Sequence, residues 1–152
     1  MNVNGTPTSD HLAKEVLEQH KQIHFYLDRI AETLEQLDPN LADVEPMRRL
    51  AAEIEGLKER LVEHHDLEER GGLFRSILEA LPEARVEISR LVRGHAQMIE
   101  VLEMAAIHAR QGEPASAHAL RIDLTGFVRM FRDHEHEEER LIRDAMAREG
   151  GA

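Results

Sequence analysis

The sequence predicts an all-α protein, an up-down-up-down four-helix bundle with a short helical segment between its second and third long helices. Apolar residues recur at steps of three and four along four stretches, which is the period of helices packed on one face. Aromatic residues make up only 3% of the chain, so the core is aliphatic, a composition that suits helices better than sheets. Glycine, proline or both mark each break between the stretches.

The first two predicted helices form a hairpin around Asp38-Pro39-Asn40. The inward positions of the first helix are Leu12, Val16, His20, Ile23, Leu27, Ile30, Leu34 and Leu37. The second helix begins near Pro46, since proline is favoured in a first turn, and Gly71-Gly72 ends or bends it. Its inward positions are Leu50, Ile54, Leu57, Leu61, His64 and Glu68.

A short segment from Leu73 to Leu81 leads to Pro82 and then to the third long helix, which ends at Gly112. The inward positions of the third helix are Ile88, Leu91, His95, Met98, Leu102, Ala105 and Ala109. Those of the fourth are Leu120, Leu124, Phe127, Phe131, His134, Glu138, Leu141 and Ala145. A length of 152 residues is typical of one domain, so we expect a single domain over 1–152 with the bundle over about 10–148.

Composition excludes several classes of protein. The net charge of −11 argues against a nucleic acid as partner, because binding to phosphates needs a basic surface. The absence of cysteine excludes disulfides, thiolate zinc sites and cysteine-held iron–sulfur clusters. No apolar run approaches the ~18 residues of a membrane span, and Met1 to Asp10 has no apolar core of a signal peptide. We therefore expect a cytoplasmic protein with no membrane partner.

Six residues that can bind a metal lie on the apolar stripes of the four predicted helices. They are His20, the pair His64 and Glu68, His95, and the pair His134 and Glu138. Imidazole and carboxylate groups in an aliphatic core are costly unless they are paired or bound to a cation. The pattern therefore predicts a metal site inside the bundle.

The six residues also share one depth. In an antiparallel hairpin, residues at equal depth lie symmetrically about the turn. The midpoints between the ligand positions of successive helices fall near residue 43, near Leu81 and near Glu113 or Ala115, each at a predicted break. We expect the six side chains to form a single layer.

The remaining histidines are interpreted from their positions relative to the apolar stripes. His11, His108, His118 and His136 fall off the stripes and are predicted to be solvated surface residues. His65 lies beside the stripe and could form a rival pair with Glu69, but the stepping along the second helix favours His64 and Glu68.

His24 lies one turn beyond His20 on the inward face, so it is an additional ligand, a partner of a ligand, or a polar residue lining the site. The acidic run Glu135, Glu137 and Glu139 is predicted to be a solvated helix face without chemistry.

Four imidazoles and two carboxylates are too many for one tetrahedral zinc ion. The i, i+4 spacing separates the two members of a pair by roughly 6 Å along the axis, so each glutamate can reach a second ion. Two metal ions with bridging carboxylates and at least one open position follow. Iron suits this ligand set, and manganese and zinc stay open as alternatives.

The order His, His-x3-Glu, His, His-x3-Glu resembles the hemerythrin-like (HHE cation-binding) family. The flanking segments are also similar: LEQHKQIH, LVEHHDLEERGGLF, LVRGHAQMI and FRDHEHEEERLI. The resemblance spans about residues 10 to 148 and implies two iron ions with a bridging oxo or hydroxo group. It further implies terminal ligands His20, His64, His95 and His134, with Glu68 and Glu138 as bridges. The oxygen-carrying hemerythrins have a second histidine four residues after the one at His95, where this chain has Ile99.

The expected function is that of a di-iron protein that binds or reacts with dioxygen, peroxide or nitric oxide as a carrier, a sensor or a detoxifying protein. An enzyme would consume peroxide or act as an oxidase, but the sequence assigns no catalytic residue and the only tyrosine is Tyr26. The alternatives are iron storage or donation, and a metal-stabilised regulatory module without redox chemistry. No protein partner can be named.

Overall fold

The computed structural model describes residues 9–37 and 44–150, and this part of the chain is helical with no strand. The helices are α1 (Ser9–Gln36), α2 (Val44–Glu69), α3 (Leu73–Ala80), α4 (Arg85–Gln111) and α5 (Pro114–Gly150), with a 3₁₀ turn at Pro82–Ala84. Helices α1, α2, α4 and α5 form the predicted four-helix bundle, and α3 is the predicted short segment. The predicted turn at residues 38–40 lies outside the described residues. None of the described helices is long and apolar enough to cross a membrane.

Two of the breaks are set by glycines in left-handed backbone conformation. Gly72, before α3, has φ +100°, and Gly112, after α4, has φ +66°. Side chains disfavour this conformation, so glycine is the residue that ends a helix there at least cost. The predicted breaks at Gly71-Gly72 and at Gly112 are confirmed.

The core consists of two apolar clusters, one towards each end of the bundle. The larger contains Ile23, Leu61, Met98 and Phe131, and the smaller contains Val16, Leu73, Leu91 and Leu141. On every long helix the histidine predicted to face inward lies between a residue of the larger cluster and a residue that belongs to the smaller cluster or, on α2, packs against it. The polar layer therefore crosses the bundle between two apolar clusters.

Candidate metal centre

The layer brings all six predicted residues together. Their side chains are no more than 8% exposed, and both glutamate side chains are 0% exposed. They come from all four long helices, as the reflection of depth across each turn predicted.

One pair of imidazoles comes from α1 and α2. Nε2 of His20 lies 3.2 Å from Nε2 of His64 and 3.0 Å from Oε1 of Glu138. Nε2 of His64 lies 3.6 Å from the same oxygen. The atoms of these three residues lie close enough together to hold one metal ion.

A second pair comes from α4 and α5. Nε2 of His95 lies 3.2 Å from Nε2 of His134, which is 3.2 Å from Oε2 of Glu138. Oε1 of Glu68 lies 3.5 Å from Nε2 of His95 and 3.0 Å from Nε2 of His64. These two histidines and both glutamates form a second metal-sized group. Each carboxylate thus contacts both pairs of imidazoles.

Three oxygens of this layer are buried without a hydrogen-bond partner among the described residues: Oε1 and Oε2 of Glu68 and Oε2 of Glu138. Nε2 of His64 lies 3.0 Å from Oε1 of Glu68 and Nε2 of His134 lies 3.2 Å from Oε2 of Glu138, but neither contact is a hydrogen bond. Buried carboxylate oxygens are normally satisfied, and leaving one unsatisfied is costly. Donor atoms that converge on common points suit a cation bound between them.

Hydrogen bonds from the outer ring nitrogen, Nδ1, orient three of the four imidazoles. Nδ1 of His64 donates to the side-chain oxygen of Gln19 at 2.8 Å, and Nδ1 of His95 donates to Glu69 at 2.9 Å. Nδ1 of His20 donates to Oε1 of Glu139 at 3.2 Å. A proton held on Nδ1 by an acceptor orients the ring and turns Nε2 inward, the usual arrangement around metal-binding histidines.

The fourth imidazole is positioned by close packing. A Cβ atom added to Gly94 would lie 3.3 Å from Nδ1 of His134, so the glycine leaves room for that ring. This packing of Gly94 against His134 was not predicted from the sequence, where a glycine inside a helical stretch has no evident signal.

The pKa values of the two buried glutamates are shifted in opposite directions. Burial, with the neighbouring Glu138, raises the pKa of Glu68 well above its ordinary value. Burial also acts to raise the pKa of Glu138, but contacts with Glu68 and the imidazoles outweigh it, so that pKa lies well below the ordinary value. Two adjacent buried carboxylates do not both ionise readily without a cation.

The pKa values of the imidazoles are also shifted in different directions. Burial lowers the pKa of His64, and it lowers that of His95 to about 4. Burial also acts to lower the pKa of His20, but the carboxylates of Glu138, Glu135 and Glu139 together raise it by more. Neutral imidazole is the form that binds metal, and two of these rings are held in it.

His65 does not form the rival pair with Glu69. Its side chain is buried and its ring stacks on His95 at 3.7 Å between centroids, with 7° between planes. Burial and the neighbouring His95 and His64 lower the pKa of His65 to about 2, so the ring is neutral.

The prediction that the acidic run on α5 has no role at the site is wrong for two of its members. Glu139 accepts the hydrogen bond from His20, and Glu135 lies 2.8 Å from Nε2 of His24 and 3.6 Å from Nδ1 of His20. Only Glu137 behaves as predicted, in an ion pair with Arg140 at 2.8 Å. The geometry thus brings His24 to a carboxylate at the edge of the layer.

A sequence signal for the outer carboxylates exists. Glu69 and Glu139 each directly follow the glutamate of a His-x3-Glu pair, and each contacts the histidine of a different helix. The predicted exposure of His11, His118 and His136 is confirmed. His108 is different: it is half-buried, and its Nδ1 lies 2.7 Å from Oδ2 of Asp123.

Four antiparallel helices that carry buried histidines and carboxylates in one layer define a cation-binding helical bundle. The sequence model of the hemerythrin HHE cation-binding domain matches residues 11–145, so the chain belongs to that family. A search of curated proteins and a search of solved structures each gave no match. The family and the buried cluster together indicate a metal site.

Proposed function

We propose that the protein holds two iron ions in this layer and uses them to bind or react with dioxygen, peroxide or nitric oxide. In the proposed centre, His20 and His64 are ligands of one ion, and His95 and His134 are ligands of the other. Glu68 and Glu138 bridge the two. The chain 1–152 would form one domain, which the family match over 11–145 supports.

One observation carries the proposal: two close pairs of imidazole nitrogens are joined by carboxylates that contact both pairs. A single tetrahedral ion would leave donors of the layer unused. Imidazole and carboxylate together suit iron, which prefers more ligands than each half of the layer offers. Iron with such ligands supplies redox chemistry and open positions for a small molecule.

The residues of the chain contribute binding and exclusion of water. Both apolar clusters seal the layer above and below, which keeps the site dry. Glu69, Glu139 and Gln19 hold the rings in orientation. No side chain beyond the layer and these partners is assigned a step in a reaction.

The test is metal analysis of the purified protein with its optical spectrum. Two irons per chain with near-ultraviolet oxo-bridge absorption would support the proposal, and one zinc without colour would contradict it in favour of a structural role. Oxygen titration of the reduced protein then separates a carrier, which releases the gas intact, from an oxidase, which consumes it.

Variants test the ligand assignment. Glu68→Ala and Glu138→Ala should lose iron, because each removes a carboxylate shared by both pairs. His136→Ala, which removes an exposed histidine of α5, should keep the iron content of the wild type. Equal iron in all three variants would contradict the assignment.

A further inference from the structure

His65 is a buried imidazole beside the layer to which the proposed centre assigns no role. Its ring lies 3.7 Å from the ring of His95, 6.0 Å from that of His64 and 6.4 Å from that of His134, measured between centroids. It thus borders three of the four inward imidazoles. The residue is 6% exposed, and its Nε2 is buried without a hydrogen-bond partner among the described residues.

The stacking geometry argues that His65 is not a ligand of the ion assigned to His95. A metal ion lies close to the plane of each imidazole that binds it. The two rings are nearly parallel, with 7° between planes, so no single point lies in both planes near both Nε2 atoms. The unpaired nitrogen therefore needs a different partner.

The two halves of the chain show why this nitrogen is free. His65 directly follows His64, just as Glu135 directly follows His134. Glu135 is satisfied by His24, the residue four positions after His20. The matching position, four residues after His95, is Ile99, which has no polar side-chain atom. Glu135 therefore has a polar partner in His24, whereas Nε2 of His65 has no corresponding partner at Ile99.

A surface groove lies beside this half of the layer. It has a volume of about 400 Å³ and is lined by Val62, His65, Asp66, Glu69 and Arg70. Two of these residues contact His95, since His65 stacks on it and Glu69 accepts its Nδ1 hydrogen bond. His65 therefore lies between this groove and the ring of His95.

We propose that His65 hydrogen-bonds the small exogenous molecule that binds at the His95 and His134 half of the centre. A neutral imidazole has one N–H donor, and with the proton on Nε2 it would donate to a small acceptor of the size of azide or peroxide. This inference rests on the proposed di-iron function and adds the residue that recognises the molecule.

The experiment is an optical titration of iron-loaded protein with azide, with iron content and circular dichroism measured on every sample. His65→Phe keeps an aromatic ring for stacking but removes the nitrogen, and His65→Gln keeps an N–H donor. His136→Phe is the matched control on an exposed site.

We expect H65F to keep the iron content of the wild type and to raise the Kd of azide at least tenfold. H65Q should lose less affinity than H65F, and H136F should stay within twofold of the wild type. An azide Kd within twofold in iron-loaded H65F would overturn the inference. Loss of iron in folded H65F would also overturn it, because His65 would then hold the metal.

A measurement on the wild type does not depend on the folding of any variant. The vibrational stretch of bound azide should shift when exchangeable protons are replaced by deuterium, and no shift would overturn the inference. Wild-type protein that holds no iron would instead refute the proposed function itself. Wild-type protein that holds iron and binds azide, with H65F unchanged, would refute only the role of His65.

Discussion

Removing the metal should destabilise the bundle, and the layer shows why. The metal-free layer contains the adjacent buried carboxyls of Glu68 and Glu138, with three oxygens that lack hydrogen-bond partners among the described residues. A ligand that binds only the folded state at 1,000 times its Kd adds about 4.1 kcal/mol to the free energy of unfolding. For a chain of this size each kcal/mol raises Tm by ~2–4 °C, so one ion at that saturation is worth about 8–16 °C.

The assay is thermal unfolding of loaded, chelator-stripped and reloaded protein, followed by circular dichroism with metal analysis of each sample. Reloading controls for damage during stripping. An unchanged Tm in protein shown to be stripped of metal would refute the reasoning, because the buried metal-binding groups would then be stable without a cation.

Glu68→Gln sharpens the test. Because burial raises the folded-state pKa of Glu68, its stabilising contribution is complete below the ordinary pKa of about 4.5 and is lost as the pH rises through the raised value. Metal-free wild type should therefore lose stability as the pH rises above that ordinary value. The neutral glutamine of E68Q should remove this part of the pH dependence and make the stripped protein more stable at pH 8. If stripped E68Q follows the same pH curve as stripped wild type, the buried carboxyl pair is not the cause.

Two further predictions concern single positions. His20→Ala should lose iron, whereas His24→Ala should keep it and change reactivity with oxygen or peroxide, since His24 contacts the edge of the layer; the reverse result in metal analysis would show that the wrong histidine of α1 was assigned. Gly94→Ala should weaken iron binding, because its Cβ would lie 3.3 Å from Nδ1 of His134. The control Gly126→Ala, where nothing lies within 4 Å of the added Cβ, should keep iron affinity and raise the free energy of unfolding by about 0.5–1 kcal/mol in denaturant unfolding. Equal iron affinity in both variants would show that the His134 ring does not need a glycine at position 94.

The sequence predicted the fold and the residues of the layer because both depend on helical period and on the position of turns. Once four stripes and three breaks are known, depth follows by reflection, and the inward direction of a residue such as His95 or Glu138 follows from its neighbours on the stripe. The layer between two apolar clusters agrees with that reasoning.

What the sequence did not predict are contacts made by residues one position off a stripe. Glu135 and Glu139 belong to the polar face by period, yet each side chain reaches across to a histidine of α1. Such contacts depend on how far each helix is rotated about its axis, which period alone does not fix. The burial of His65 and the pair of His108 with Asp123 were missed for the same reason.

Each ion of the proposed centre would take its histidines from one helical hairpin and a carboxylate from the other. His20 and His64 belong to the first hairpin, but the oxygen that both approach belongs to Glu138 of the second. The first ion to bind would therefore join the two hairpins and bring the donors of the second position into place. Metal loading should then be cooperative, so that native mass spectrometry at sub-stoichiometric iron would find mainly empty and doubly loaded chains, with few that carry a single ion.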